Sequence, residues 1–259
     1  MAEHKLYDGA VTIKFDGRAH AYTWREKGLY IPGVTKILSR HSKDALLPWA
    51  AGRAADYIEQ AVLSDLDHLK NNDDITVNVG EFKQICKDGK ASYRKTAREA
   101  ADIGKRIHKF AELWLKGEQP DIPSEADERI VLGCNAFLQW IREHDVRPLC
   151  PEKVIFSRHW LFAGTCDLWG YVDGELTVGD FKTSKAVYIE HLLQTAAYQI
   201  AIQEELRIKA PVRRLIRLDK TTGEFHVERH PPSLLHEDAF LRLREFHEGM
   251  SKIELSRKT

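Results

Sequence analysis

The chain has 259 residues, 43% of them hydrophobic, which is enough to fill a full core; residues 1–259 read as one domain, with an N-terminal part up to about residue 80 and a core from 81 onward. Lys and Arg together number 39, as do Asp and Glu, so the net charge is zero, which argues against bulk nonspecific coating of DNA. Any affinity for nucleic acid must come from local clusters of cations.

Residues 10–31 alternate apolar and polar positions around Asp16-Gly17 and Lys27-Gly28, which predicts a small β-meander. Pro32 then breaks the strand and starts a short helix. A longer helix is predicted from about Asp44 to Leu69, with Leu47, Ala51, Ala54, Ala55, Ile58 and Val62 at helical spacing as core scaffold. Asn71-Asn72-Asp73-Asp74 reads as an exposed loop.

From Glu81 to Lys116 the pattern is helical again, with a possible interruption at Asp88-Gly89. Lys83, Lys87, Lys90, Arg94, Arg98, Lys105 and Lys109 recur at three, four or seven residues, near one face wherever the helix is continuous. This stripe runs toward His108 and has the character of a phosphate-guiding track. A loop with Pro120 and Pro123 follows. A helix is then predicted from about Ser124 to His144, opened by a capping box of Ser124 and Asp127.

Glu152 to Phe156 is expected to begin a sheet, and Asp173-Gly174 between the β-rich runs Leu161–Val172 and Glu175–Thr183 signals a two-residue hairpin turn. In an antiparallel hairpin the numbers of opposed residues share one sum, and Asp167 with Asp180 has the same sum as Val172 with Glu175. The two aspartates are thus expected to face each other, with Cβ atoms roughly 4.5–5.5 Å apart, where unscreened carboxylates repel. A divalent cation would relieve that repulsion. Lys182, two residues beyond Asp180, falls on the same face, together with Trp169, Tyr171, Leu176 and Val178. Leu168, Val172 and Phe181 fall on the other, so both faces are apolar, as in a sheet covered by helices.

Ala186 to Leu206 is predicted to be a helix that places Gln194 and Tyr198 one turn apart. Arg213–Leu218 and Glu224–Glu228 around Thr222-Gly223 read as a second hairpin, and a terminal helix runs from about Pro232 to Ser251. The expected class is therefore α/β: a central mixed sheet flanked by helices, with the N-terminal meander and helical additions. Cys86, Cys134, Cys150 and Cys166 form no Cys-x-x-Cys pair, which argues against a zinc ribbon and suits reduced thiols. No phosphate-binding loop of an ATPase is present. The absence of a membrane-length apolar run or a signal-peptide core predicts a soluble, cytoplasmic protein without a membrane partner.

Gly164-Thr165-x-Asp167, then Asp180-Phe181-Lys182, then Gln194-x-x-x-Tyr198 on the next helix resembles the RecB-like branch of the PD-(D/E)XK nuclease superfamily. Gly104-x-x-x-His108-x-x-x-Glu112 is similar to the upstream histidine motif of that branch. Pro32-Gly33-Val34-Thr35 and Lys43-x-x-x-Leu47-x-Trp49-Ala50 resemble segments of its phage and mitochondrial exonucleases, with Gly33 where Ser is usual. Glu152 occupies the place of a glutamate that some relatives carry.

The resemblance implies a restriction-endonuclease-like core and a DNA exonuclease dependent on Mg²⁺ or Mn²⁺, acting on single strands or ends in recombination, repair or phage replication. A recombination or single-strand-binding protein would be a possible partner. It implies that Asp167, Asp180, the Phe181 carbonyl and His108 are metal ligands, and that Lys182 orients the attacking water. Gln194, Tyr198, Glu112, Thr183, Lys105 and Arg98 would meet the DNA. Relatives with an iron–sulfur cluster carry cysteines after the Gln-x-x-x-Tyr helix; no cysteine follows Tyr198 here, so no cluster is expected.

Overall fold

The computed structural model describes residues 2–17, 21–40, 46–64, 78–122 and 126–257. Lys43, Asp44, the expected end of the second helix at 65–69, the 71–74 loop, Pro123 and the capping residue Ser124 lie outside them. The chain divides into two compact units, Met1–His41 with Arg106–Thr259, and Ser42–Lys105. Among the described residues no helix is long and apolar enough to cross a membrane.

The larger unit is a mixed α/β structure with two sheets. The first is an antiparallel meander in the order β1 (Ala2–Leu6), β2 (Val11–Asp16), β3 (Ala21–Trp24) and β4 (Leu29–Ile31). Its first strand was not anticipated, because Ala2–Leu6 is mostly exposed and polar. Ile13, Trp24 and Ile31 pack with Phe156 and Ala163 of the second sheet, and the Trp24 and Phe156 rings meet edge to face at 5.2 Å. After the meander, Gly33 leads into the short helix α1 (Val34–Leu38).

The second sheet has the order β5 (Val146–Ser157), β6 (Phe162–Val172), β7 (Glu175–Lys182), β8 (Val212–Leu218) and β9 (Phe225–His230). Only the β7 and β8 pair is parallel; the rest are antiparallel. The parallel pair requires a crossover, supplied by α5 (Ile189–Leu206). β5 starts six residues before the expected Glu152. Pro148 and Pro151, which remove ladder donors, hid it, and they are tolerated because β5 is an edge strand with a register shift between Pro148 and Cys150.

Helices cover both faces of this sheet. On one side Val34, Ile37, Phe162, Cys166, Trp169, Val178, Tyr198, Ile202 and Phe240 form a buried cluster with α1, α5 and α6 (Leu234–Ser256). On the other side Phe181 meets Phe137 at 5.4 Å and Trp140 at 5.6 Å, both from α4 (Glu128–Glu143). The described cap of α4 is Asp127, whose side chain accepts from the Arg129 amide.

The two-helix unit holds α2 (Leu46–Ser64) and most of α3 (Val79–Leu115), whose residues from Arg106 on fall in the larger unit. The expected interruption of α3 at Asp88-Gly89 does not occur. A Cβ on Gly89 would lie 2.8 Å from Ile58 Cγ1 and 3.1 Å from the Ala54 carbonyl oxygen, so the glycine sits where α2 approaches α3 closely. Ser92 Oγ donates to the Arg53 carbonyl at the same crossing. None of the described side chains of α2 is fully buried, so its expected role as core scaffold is not met.

Candidate active site

The β6–β7 ladder has the register that the Asp173-Gly174 turn predicts, from Val172↔Glu175 to Leu168↔Gly179. Asp173 and Gly174 both have positive φ, 52° and 77°, as a tight hairpin turn of this twist requires. The next pair, Asp167 with Asp180, is not part of the ladder, which corrects the expected cross-strand pairing. The Phe181 amide instead donates to Asp167 Oδ2 at 2.6 Å. The alternation of β6 also slips here. Phe162 and Cys166 share the α5-side cluster with Trp169, whereas Thr165 faces the meander and meets the Tyr22 hydroxyl at 3.2 Å. Even positions before Asp167 and odd positions after it thus look the same way, and the two aspartates enter the site from different neighbours.

Asp180, 2% exposed, is held from the α5 side. Its Oδ2 is paired with the Lys182 ammonium, and its Oδ1 accepts from Gln194 Nε2 at 3.4 Å. Lys182 Nζ donates to Gln194 Oε1 at 2.9 Å, and Gln194 Nε2 donates to the Tyr198 hydroxyl at 2.6 Å. Gln194 is therefore the hub that fixes Lys182, Asp180 and Tyr198, a role the sequence did not reveal. Burial, with Asp167 adding to it against Lys182, pushes the Asp180 carboxyl up to about 6.

Asp167 is held from the other side. His108 Nδ1 lies 3.4 Å from its Oδ2, and the imidazole meets the Phe181 ring edge-on at 6.4 Å. Burial works against its ionised form, but His108, Lys182 and the Phe181 amide outweigh it and hold Asp167 below the usual carboxylate range. Burial likewise disfavours the imidazolium of His108, and Asp167 and Asp180 reverse that, so its pKa is raised. His108 owes its position to Ile107, Phe110 and Ala111, all buried. Phe110 packs on Phe137 at 6.1 Å.

Glu152 belongs to the same cluster. The β5–β6 register pairs Pro151 with Leu168 and Lys153 with Cys166, which sets Glu152 opposite Asp167. Its φ of 53° is a left-handed backbone within a strand, a conformation that costs energy and concentrates at functional sites. Burial, then the charges of Asp167 and Glu112, push its carboxyl up to about 8, and it shares a hydrogen bond with Asp167. Glu112 is neutralised by Lys109 at 3.0 Å and Lys116 at 2.5 Å. Thr183 lies half-buried just past β7. Arg98 and Lys105 are exposed residues of the two-helix unit, Lys105 paired with Asp102 at 3.4 Å.

Among the described residues no three His, Cys, Asp or Glu side chains already converge as a metal cage. A hard cation nevertheless fits the donors. Mg²⁺ is commonly held by one or two carboxylates, with water and substrate oxygens completing the shell. Asp180 Oδ2 is buried against the Lys182 ammonium, and Asp167 lies close enough to Asp180 and Glu152 that its charge adds to burial in raising the pKa of both. All four cysteines are free, and Cys166 is buried beside Asp167.

The first glycine of the Gly-Thr-x-Asp segment has a packing cause. A Cβ at Gly164 would lie 2.9 Å from Tyr198 Cε1, 3.3 Å from Val34 Cγ2 and 3.4 Å from Ile155 Cδ1. Gly164→Ala is expected to cost about 1–3 kcal/mol by overpacking, read as a lower melting temperature by circular dichroism. An unchanged melt would show that Tyr198 has room to move.

No protein-family model matches this sequence, and no curated protein matches it either.

Proposed function

We propose that the chain is a metal-dependent deoxyribonuclease, an exonuclease that hydrolyses phosphodiester bonds of single-stranded DNA or DNA ends. On this reading the five-stranded sheet with its β7–α5–β8 crossover is a restriction-endonuclease-like core. The observation that carries the proposal is the buried chain Asp180–Lys182–Gln194–Tyr198 set beside Asp167, His108 and Glu152. Burying that many ionisable groups costs far more than a packed apolar site would. The arrangement is what charge stabilisation at a phosphoryl centre requires.

Asp167, Asp180 and the Phe181 carbonyl would hold Mg²⁺ or Mn²⁺, with His108 beside Asp167. When bound, the ion supplies charge neutralisation at the phosphate and a water acidic enough to attack at neutral pH. Lys182, a compact cation held by Gln194, would orient the attacking water and stabilise the charge developing on phosphorus-bound oxygen. Gln194 acts through Lys182 and Tyr198, as a positioning residue. Glu152, largely protonated at neutral pH, donates its hydrogen bond to Asp167 and keeps the net charge of the cluster low. Recombination, repair or phage replication in a cytoplasm, with a recombination or single-strand-binding protein as partner, is the setting this chemistry suits.

The test is a time course on 5′- and 3′-labelled linear strands beside a covalently closed circle, with Mg²⁺ and with chelator. Release of labelled nucleotides from linear DNA alone, only with Mg²⁺, is expected. Cutting of the closed circle would make the enzyme an endonuclease of the same chemistry, and no hydrolysis of any substrate would overturn the reading.

A further inference from the structure

Resting on that reading, we infer that the two-helix unit carries a separate track for a single-stranded nucleic acid, its sugar-phosphate backbone on the exposed ridge of α3 and its bases turned toward the α2 side. At about 100° per residue, Lys83, Lys87, Lys90, Arg94, Arg98 and Lys105 fall within an arc of about 80°. All six are exposed. With a rise of about 1.5 Å per residue the ridge is about 33 Å long.

The continuity of α3 through Gly89 makes these six cations one ridge and not two. Among the described residues no carboxylate pairs with Lys83, Lys87, Lys90, Arg94 or Arg98, and only Lys105 has one, Asp102. Such a row repels itself and costs stability unless a polyanion compensates it.

The two shoulders of the ridge differ. Glu81, Asp88, Glu99 and Asp102 lie on one, where Gln84 Nε2 also binds the Asp88 carboxylate at 2.9 and 3.0 Å. The other carries aromatic rings. Phe82 is 44% exposed and Trp49 of α2 is 37% exposed. Trp49 meets Tyr93 edge to face at 6.4 Å, and the Arg94 guanidinium sits 5.6 Å from the Tyr93 ring centre and donates to its hydroxyl at 3.1 Å. Cations in a row with open aromatic faces along one side suit a strand whose bases are unpaired, since stacking accepts any base. A duplex, with its bases stacked inside, would leave the rings unused. An acidic protein would have no use for the asymmetry between the shoulders.

The experiment is fluorescence anisotropy of a labelled dT20 strand with the full chain in EDTA, over a range of salt. Lys87→Glu with Lys90→Glu and Arg94→Glu together should weaken binding at least about 30-fold and lower the slope of log affinity against log salt by about 2, at roughly 0.7 per phosphate contact. Trp49→Ala should leave the slope alone, weaken dT20 about fivefold or more, and erase a preference for dT20 over an abasic strand of equal length. Equal binding of rU20 would support a track for either sugar. Unchanged affinity in the triple variant with an intact circular dichroism spectrum, no wild-type binding of dT20, or equal binding of dT20 and polyglutamate would overturn the inference. Because no hydrolysis is involved, the result stands apart from the nuclease reading, which Asp180→Asn tests with Mg²⁺ present.

Discussion

Asp180→Asn is expected to lower Mg²⁺-dependent hydrolysis of a linear strand by about 10²–10³-fold or more, the usual cost of removing a preorganised charge from a buried site. Asparagine keeps the shape and can still accept from Gln194 Nε2, so the change isolates the loss of one negative charge beside Lys182. Lys182→Gln should reach the same range by a different route. It retains a partner for Gln194 Oε1 but leaves the Asp180 carboxylate, 2% exposed, without its cation. Both variants leave one member of a buried ion pair without its partner and should lose stability, the second more, because the carboxylate it strands is the more deeply buried of the two. Initial rates on an end-labelled strand, beside thermal melts of each variant, separate the two effects. Turnover within a few-fold of wild type in either variant would sink the assignment.

The second large effect concerns stability without metal. The Glu152 carboxyl is pushed up to about 8 from an ordinary 4.5, burial being the largest cause and Asp167 the next. Asp180 is pushed up to about 6 from 3.8, again chiefly by burial. An acid whose pKa is higher in the folded chain binds its proton more tightly there. Its contribution to stability is greatest below the unfolded pKa and falls as pH rises toward the folded one. His108, with a raised pKa, likewise stabilises at low pH and loses that contribution as pH rises through its folded value.

In EDTA the wild type should thus lose stability from about pH 4 to pH 8 through this cluster. Glu152→Gln removes the Glu152 part and keeps a hydrogen-bond donor toward Asp167. It should gain on the order of 3 kcal/mol at pH 8.5 and nothing at pH 4. Urea denaturation across that range checks it. A variant that tracks the wild type at every pH would mean that Glu152 is ionised and paired in the ion-free protein.

Much of this was legible in the chain, and the failures have physical causes. Asp173-Gly174 specified its hairpin because only a few residues accept two successive positive φ values, and that turn fixed the register as far as Leu168↔Gly179. What lay beyond was invisible. A carboxylate that takes a main-chain amide in place of a ladder bond leaves no trace in alternation, so the slip at Asp167 could not be read. Asp180 and Lys182 follow from strand spacing, but Gln194 as their common anchor depends on where α5 lands after the crossover. Gly89 looked like a break because glycine disfavours helices; the approach of Ile58 is a tertiary fact that overrides propensity. The two prolines that concealed the start of β5 are chemically the reverse case, residues that forbid a central strand and suit an outer one.

Those prolines have a further consequence. A sheet of five strands ends in two rows of unsatisfied amides and carbonyls, and an outer strand of twelve residues is a long template for another chain. Pro148 and Pro151 leave this outer strand two amide donors short, and the shifted step between Pro148 and Cys150 breaks its straightness. Leu149, 58% exposed, sits between them, where an unguarded strand would be stickiest. The same imino acids that blurred the strand in the sequence protect the folded chain from stacking edge to edge on its own copies.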